Sequence, residues 1–106
     1  GREPEMLTGL AAAGCNVIAF ATGRGAPQGF PFVPVVKVTG NARTWRLMRE
    51  HMDCFAGGVM TGGQSVQEAG AEVFEALMRA AGGAPTAAER SGYVNSMNIW
   101  TTGPVI

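Results

Sequence analysis

Residues 15–25, Cys-Asn-Val-Ile-Ala-Phe-Ala-Thr-Gly-Arg-Gly, run an apolar stretch straight into a loop of two glycines, a threonine hydroxyl and a guanidinium. Those parts suit an anion. Glycine N–H groups can be approached closely, the hydroxyl adds a donor, and Arg24 offers a planar fork for carboxylate or phosphate. Two further residues share the expected rim. Lys37 lies inside the apolar run Val35–Thr39, where it must reach water or face an anion, because burying it unpaired is costly. Asn41 follows the glycine that breaks that run and reads as a helix N-cap. Thr22, Gly23, Arg24, Gly25, Lys37 and Asn41 are therefore the candidate substrate-binding set. Spacing alone leaves alternatives open: the glycines only turn the chain, Arg24 is solvated, and Lys37 protects an edge strand against aggregation.

The elements that must position these residues follow from periodicity. Pro4 with Glu3 and Glu5 suits the first turn of a helix. Met6, Leu7, Leu10 and Ala13 share one face of it, Gly9 marks close packing, and Gly14 ends it. Val17 to Ala21 reads as a buried strand delivering its loop to a sheet rim, where open α/β sheets place ligands. The Phe30-Pro31-Phe32-Val33-Pro34 segment is barred from a central strand by its prolines and is expected to lie over the sheet. After the second strand, a helix is predicted over Ala42–Met52 with Trp45, Met48 and Met52 on one stripe. Asp53–Ala56 is a short third strand, and Val59-Met60 lead into a loop at Thr61-Gly62-Gly63. Ser65 and Glu68 form a capping-box pattern that opens a helix to about Ala81. Its expected buried stripe is Val66, Ala69, Val73, Ala76, Leu77 and Ala80, widened by Phe74 and Met78. Ala87–Gly92 is a short helix or turn; Met97, Ile99 and Trp100 belong to a terminal strand before a turn at Gly103-Pro104. The fold class is α/β: a small layered domain with a mainly parallel sheet and flanking helices, a Rossmann-like variant. The first two strands lack a helix between them, so their connection is a loop crossover or an irregular excursion.

Composition excludes several functions. The chain has 106 residues, expected to form one domain, with eight basic and eight acidic side chains and a formal charge of zero. It carries no basic run for nucleic acid or anionic membrane, and no apolar run near the roughly 20 residues a membrane helix needs. Cys15 is expected as a small core residue, and the cytoplasmic character of the composition argues against a Cys15–Cys54 disulfide. His51, Asp53 and Cys54 lie close in sequence, but their spacing matches no zinc motif, and no metal ligand set is assigned. There is no nucleophile elbow, phosphate-binding Walker loop or paired-carboxylate motif, and the catalytic base is unassigned.

Several blocks resemble one family in collinear order. Glu3-Pro4-Glu5 with Leu7-Thr8-Gly9 and Ala11–Gly14, Phe20–Gly25, Pro34–Asn41, Met52-Asp53, Ala56-Gly57, the Ser65–Glu68 helix start and Gly103-Pro104 are similar to the C-terminal domain of the altronate/galactarate dehydratase family. Ala21 departs from the threonine usual there. The resemblance implies a C-terminal piece of a larger hydro-lyase that dehydrates a sugar acid to a 2-keto-3-deoxy acid. It also covers a relative that eliminates sulfite from sulfolactate. A divalent metal, iron or manganese, is implied in the full-length enzyme and none in this chain. Arg24 and Lys37 would clamp carboxylate or hydroxyl groups, with Thr22 and Asn41 orienting hydroxyls. A non-catalytic folding or dimerisation domain is the alternative. Implied partners are the preceding domains, a hydroxy-acid substrate and a second copy in a homodimer.

Overall fold

The computed structural model describes residues 2–94, 98–99 and 102–103. Helix α1 (Glu3–Ala12) begins with Pro4, whose missing N–H costs nothing in a first turn, and carries Glu3 and Glu5 at its positive end. Gly14 takes φ +102° just past its end, where a left-handed residue is needed to reverse the chain. Only one side of the helix is covered: Leu7 is fully buried, while Met6, Leu10 and Ala13 are exposed.

Among the described residues three strands, β1 (Ile18–Ala21), β2 (Val35–Thr39) and β3 (Cys54–Phe55), form a parallel sheet in the order β1-β2-β3. Ile18 pairs with Val35 and Phe20 with Lys37, and Val38 pairs with Cys54. β2 is central, so Lys37 is not an edge-strand lysine. The β1–β2 connection has no helix, as its prolines require. It runs as an extended excursion in which Phe30 and Val33 turn inward to join Leu7, Ile18 and Val35 in one core cluster. Gly29 ties that excursion to the chain at residue 93, donating its N–H to the Tyr93 carbonyl at 2.8 Å. A β-carbon on Gly29 would stand 2.8 Å from that of Ala88, so only glycine permits the approach.

The opposite sheet face packs Val36 and Cys54 against Ala76 and Ala80 of the long helix α4 (Val66–Ala81). Its buried stripe is narrower than the sequence predicts. Ala69, Ala76 and Ala80 are buried and Val73 and Leu77 half-buried, whereas Val66, Phe74 and Met78 stand out in solvent. Alanines let the helix axis approach the sheet closely, and the contact is confined to this narrow stripe.

Three local expectations are corrected. The helix predicted over Ala42–Met52 stops early: α2 spans Ala42–Leu47 and a 3-10 turn follows at Arg49–His51. The chain must leave the helix there for Met52 to enter the core, fully buried, and for Asp53 to start β3. Residues expected only as a lead into a loop include one helical turn, α3 (Gly58–Thr61), closed by Gly62 at φ +83°. At the start of α4, Ser65 accepts the Glu68 N–H but no returning bond exists among the described residues. The reciprocal capping box belongs instead to Thr86 and Glu89, opening α5 (Ala87–Arg90). The terminal strand expected over Met97–Trp100 and the turn at Gly103-Pro104 fall mainly outside the described residues. Among the described residues no helix is long and apolar enough to cross a membrane.

Candidate substrate-binding rim

The carboxyl ends of β1 and β2 and the start of α2 meet at one rim. The strand alternation that buries Ile18 brings the chain out at Thr22, whose N–H still bonds the Val38 carbonyl at 2.9 Å. The next four residues are then built as a fixed loop. Thr22 Oγ1 accepts the Gly25 N–H at 3.0 Å, and Gly25 turns the chain at φ +90°. A β-carbon on Gly25 would overlap the Met48 thioether, so this turn is both left-handed and tightly packed. The Gly23 carbonyl is held twice, by Asn41 Nδ2 at 2.9 Å and by the Thr44 hydroxyl at 2.7 Å.

Asn41 works in two directions. Its Oδ1 accepts the N–H groups of Arg43 and Thr44, capping α2, while its amide nitrogen reaches back to the loop. The helix start and the glycine loop are thereby one unit. With these bonds Asn41 is committed to the loop's shape rather than directed at an external hydroxyl. Arg24, between the two glycines, is exposed. The loop thus presents a guanidinium to solvent from a backbone whose conformation is set by side chains of α2.

An open concavity of about 800 Å³ adjoins this loop, with Thr22, Gly23, Asn41, Phe55, Gly57 and Met60 among its walls. Its lining is chiefly apolar. Phe55 stacks on Trp45 with ring centroids 5.5 Å apart. A β-carbon on Gly57 would collide with the Phe55 ring and lie 2.7 Å from the Gly40 carbonyl, so the wall is drawn in as far as backbone allows. Met60 on α3 is 85% exposed at the mouth. Ala21, where the resembling family usually has threonine, contributes only a methyl group.

Lys37 does not join this rim. It sits at mid-strand with 0% exposure, its ammonium 2.5 Å from Glu3 Oε1 and 4.1 Å from the centroid of the Phe20 ring. Of the two outcomes open to a lysine in an apolar run, water or an anion, the structure shows the anion, and it is the carboxylate at the start of α1. Burial pushes its pKa below the ordinary lysine value, and the hydrogen bond and charge of Glu3, with the charge of Asp53, pull the other way. The structure therefore brings together Thr22, Gly23, Arg24, Gly25 and Asn41 and leaves Lys37 in the α1 layer.

His51, Asp53 and Cys54 also go separate ways. His51 Nε2 lies 3.4 Å from Glu50 Oε1, and its ring meets Tyr93 edge-on. Asp53 spends both oxygens on backbone: Oδ2 accepts the Lys37 N–H at 2.7 Å and Oδ1 the Ala87 N–H at 2.8 Å. Cys54 is a buried free thiol, its pKa raised by burial first and by the nearby Asp53 charge. Among the described residues no three His, Cys, Asp or Glu side chains are placed to hold a metal ion.

Sequence reasoning missed Thr44 and Met48, the two α2 residues that set the loop. A signal for Thr44 was present: it stands one turn beyond the N-cap, on the side of α2 that faces back toward the preceding strand.

Residues 1–105 match the family described as D-galactarate/Altronate dehydratase, C-terminal. The (2R)-sulfolactate sulfo-lyase subunit beta of Chromohalobacter salexigens is 43% identical over 89 residues, 84% of this chain and 23% of that protein. The galactarate dehydratase (L-threo-forming) of Escherichia coli K12 is 32% identical over 95 residues, 89% of this chain and 18% of the relative. The altronate dehydratase of the same strain is 31% identical over 93 residues, with 88% and 18% coverage. The chain thus spans about a fifth of the length of these curated relatives.

Proposed function

From the premise that the chain belongs to the D-galactarate/altronate dehydratase C-terminal family, we propose that it supplies the carboxylate-binding rim of a cytoplasmic lyase acting on a hydroxy acid. The observation that carries this reading is the loop Thr22–Gly25, clamped at the Gly23 carbonyl by Asn41 and Thr44 so that Arg24 is presented at the carboxyl end of the sheet. In such an elimination the proton α to a carboxylate is removed and the group on the β-carbon leaves. Negative charge grows on the carboxylate as the α-proton departs, and a guanidinium held in place binds that state more tightly than the ground state. Arg24 fills this role. Thr22, whose oxygen already accepts the Gly25 N–H, keeps its own O–H to donate to a substrate oxygen.

Lys37 enters as the residue that fixes α1, not as a substrate clamp. The base, and the ligands of the divalent iron or manganese ion that belongs to this reading, are assigned to other domains of a longer enzyme. Within the hydroxy-acid class, a sugar acid of the altronate or galactarate type is our first choice and sulfolactate the second, the latter supported by the 43% identity to a sulfo-lyase subunit.

A second reading is favoured by the apolar lining of the concavity beside the loop: a domain that folds or dimerises the enzyme, with the loop purely structural. Arg24→Ala in the full-length enzyme separates the two. The first reading expects kcat/KM to fall about 100-fold, the order seen when one charge-stabilising donor is removed, with assembly unchanged. Unchanged turnover of galactarate, altronate and sulfolactate alike overturns it in favour of the second.

A further inference from the structure

Away from the rim, at the end of the sheet where strands begin, Arg46, Arg49 and Arg90 line a second concavity of about 620 Å³ together with Leu47, Glu50 and Ser91. We propose that this is a binding site for a small multivalent anion, one with two or more charged oxygens such as phosphate or a short polycarboxylate. The chain as a whole is neutral, so three arginines against one glutamate along a single concave surface is a local excess of basic residues.

Two of the three arginines are held in place. Arg49 lies over the Trp45 ring at 3.9 Å and donates Nη1 to the Met52 carbonyl at 3.3 Å. Arg90 donates Nη1 to the Pro85 carbonyl at 2.7 Å. Each bond uses part of a five-donor fork and leaves the remaining N–H groups for a ligand. Anchoring lowers the entropy lost on binding, and the planar fork matches paired oxygens on one acid group. The one acidic wall residue, Glu50, is drawn toward His51, with Oε1 3.4 Å from Nε2. Arg46, on the last turn of α2, completes the set.

The site does not depend on the reading of the rim. It is tested by titrating the full chain with inorganic phosphate and, separately, with citrate at constant ionic strength, using calorimetry and amide NMR shifts. A dissociation constant of about 1 mM or tighter is expected for at least one of the two, and which one binds separates phosphate from carboxylate as the preferred ligand. Arg46→Gln and Arg90→Gln should each weaken binding about tenfold, with shifts centred on residues 46–51 and 90–91, while Arg43→Gln leaves it unchanged. Arg90 supports a loop carbonyl, so if its variant does not fold, Arg46→Gln decides alone. No saturable shift up to roughly 20 mM of either anion overturns the proposal. Equal weakening by Arg43→Gln does the same, because it marks a diffuse field rather than a site.

Discussion

Asp53 joins three elements with one carboxylate, and its removal makes a quantitative test of the fold. Oδ2 takes the Lys37 N–H at mid-β2 and Oδ1 takes the Ala87 N–H at the first residue of α5. Both are short bonds from amide donors to an ion, the class that contributes about 1.5–3 kcal/mol each. Asp53 is half-buried, so solvent competes for it and the lower end applies, giving about 3 kcal/mol for the pair. The donors reinforce that figure. Lys37 and Ala87 are both fully buried, and in Asp53→Ala their N–H groups lose a partner that water replaces poorly. Asp53→Asn keeps one acceptor oxygen and turns an amide N–H₂ toward the other donor, so it should cost about half or more of the alanine effect. Against a total stability of about 5–15 kcal/mol, a loss of about 3 is a large fraction, and for a chain this size it lowers Tm by about 12–24 °C. Urea unfolding followed by circular dichroism at two wavelengths measures it, with an unchanged m-value showing that the native state keeps its compactness. A loss below about 1 kcal/mol for Asp53→Ala would refute the reasoning, because two charge-assisted bonds to buried amides cannot be worth so little.

Two further outcomes are expected. Glu3→Ala leaves a fully buried ammonium without its ion-paired carboxylate and should destabilise the chain by about 3 kcal/mol at neutral pH, whereas the double variant Glu3→Ala with Lys37→Met should recover most of that; a double variant no better than Glu3→Ala would show that the pair is not the cause. Alkaline pH separates two buried groups of opposite sign. Lys37 titrates below the ordinary 10.5 in the folded chain, so between its folded and unfolded values the unfolded chain holds more protons and stability rises with pH. Below the folded value its burial penalty is fully present. Cys54 titrates above the ordinary 9.0 when folded, so from that pH upward the unfolded chain sheds its proton first and stability falls. Urea midpoints across this range should lose the rise in Lys37→Met and the fall in Cys54→Ala; identical profiles in all three proteins would contradict both shifts.

The periodic and punctuated parts of the chain were legible without coordinates. Leu7 on its helix, Ile18 and Val35 on their strands, Gly14 and Gly25 at left-handed turns, and Asn41 as an N-cap follow from side-chain chemistry acting within a few residues. The glycine loop was legible as a loop for the same reason. Its rigidity was not, because the bonds that hold the Gly23 carbonyl come from residues 18 and 21 positions away in sequence. The early end of α2 was decided by the need to carry Met52 into the core and Asp53 to two distant amides, which no local propensity encodes. Phe74 and Met78 obey helical period yet stand in solvent, since period reports a face and only tertiary packing decides how much of it is covered. Lys37 shows the division most clearly. Its sequence context required water or an anion, and solvent, a bound acid or a side chain satisfied that requirement equally. The choice of Glu3, 34 residues earlier, was made by the packing of α1 across β2, a contact that exists only once the layers have assembled.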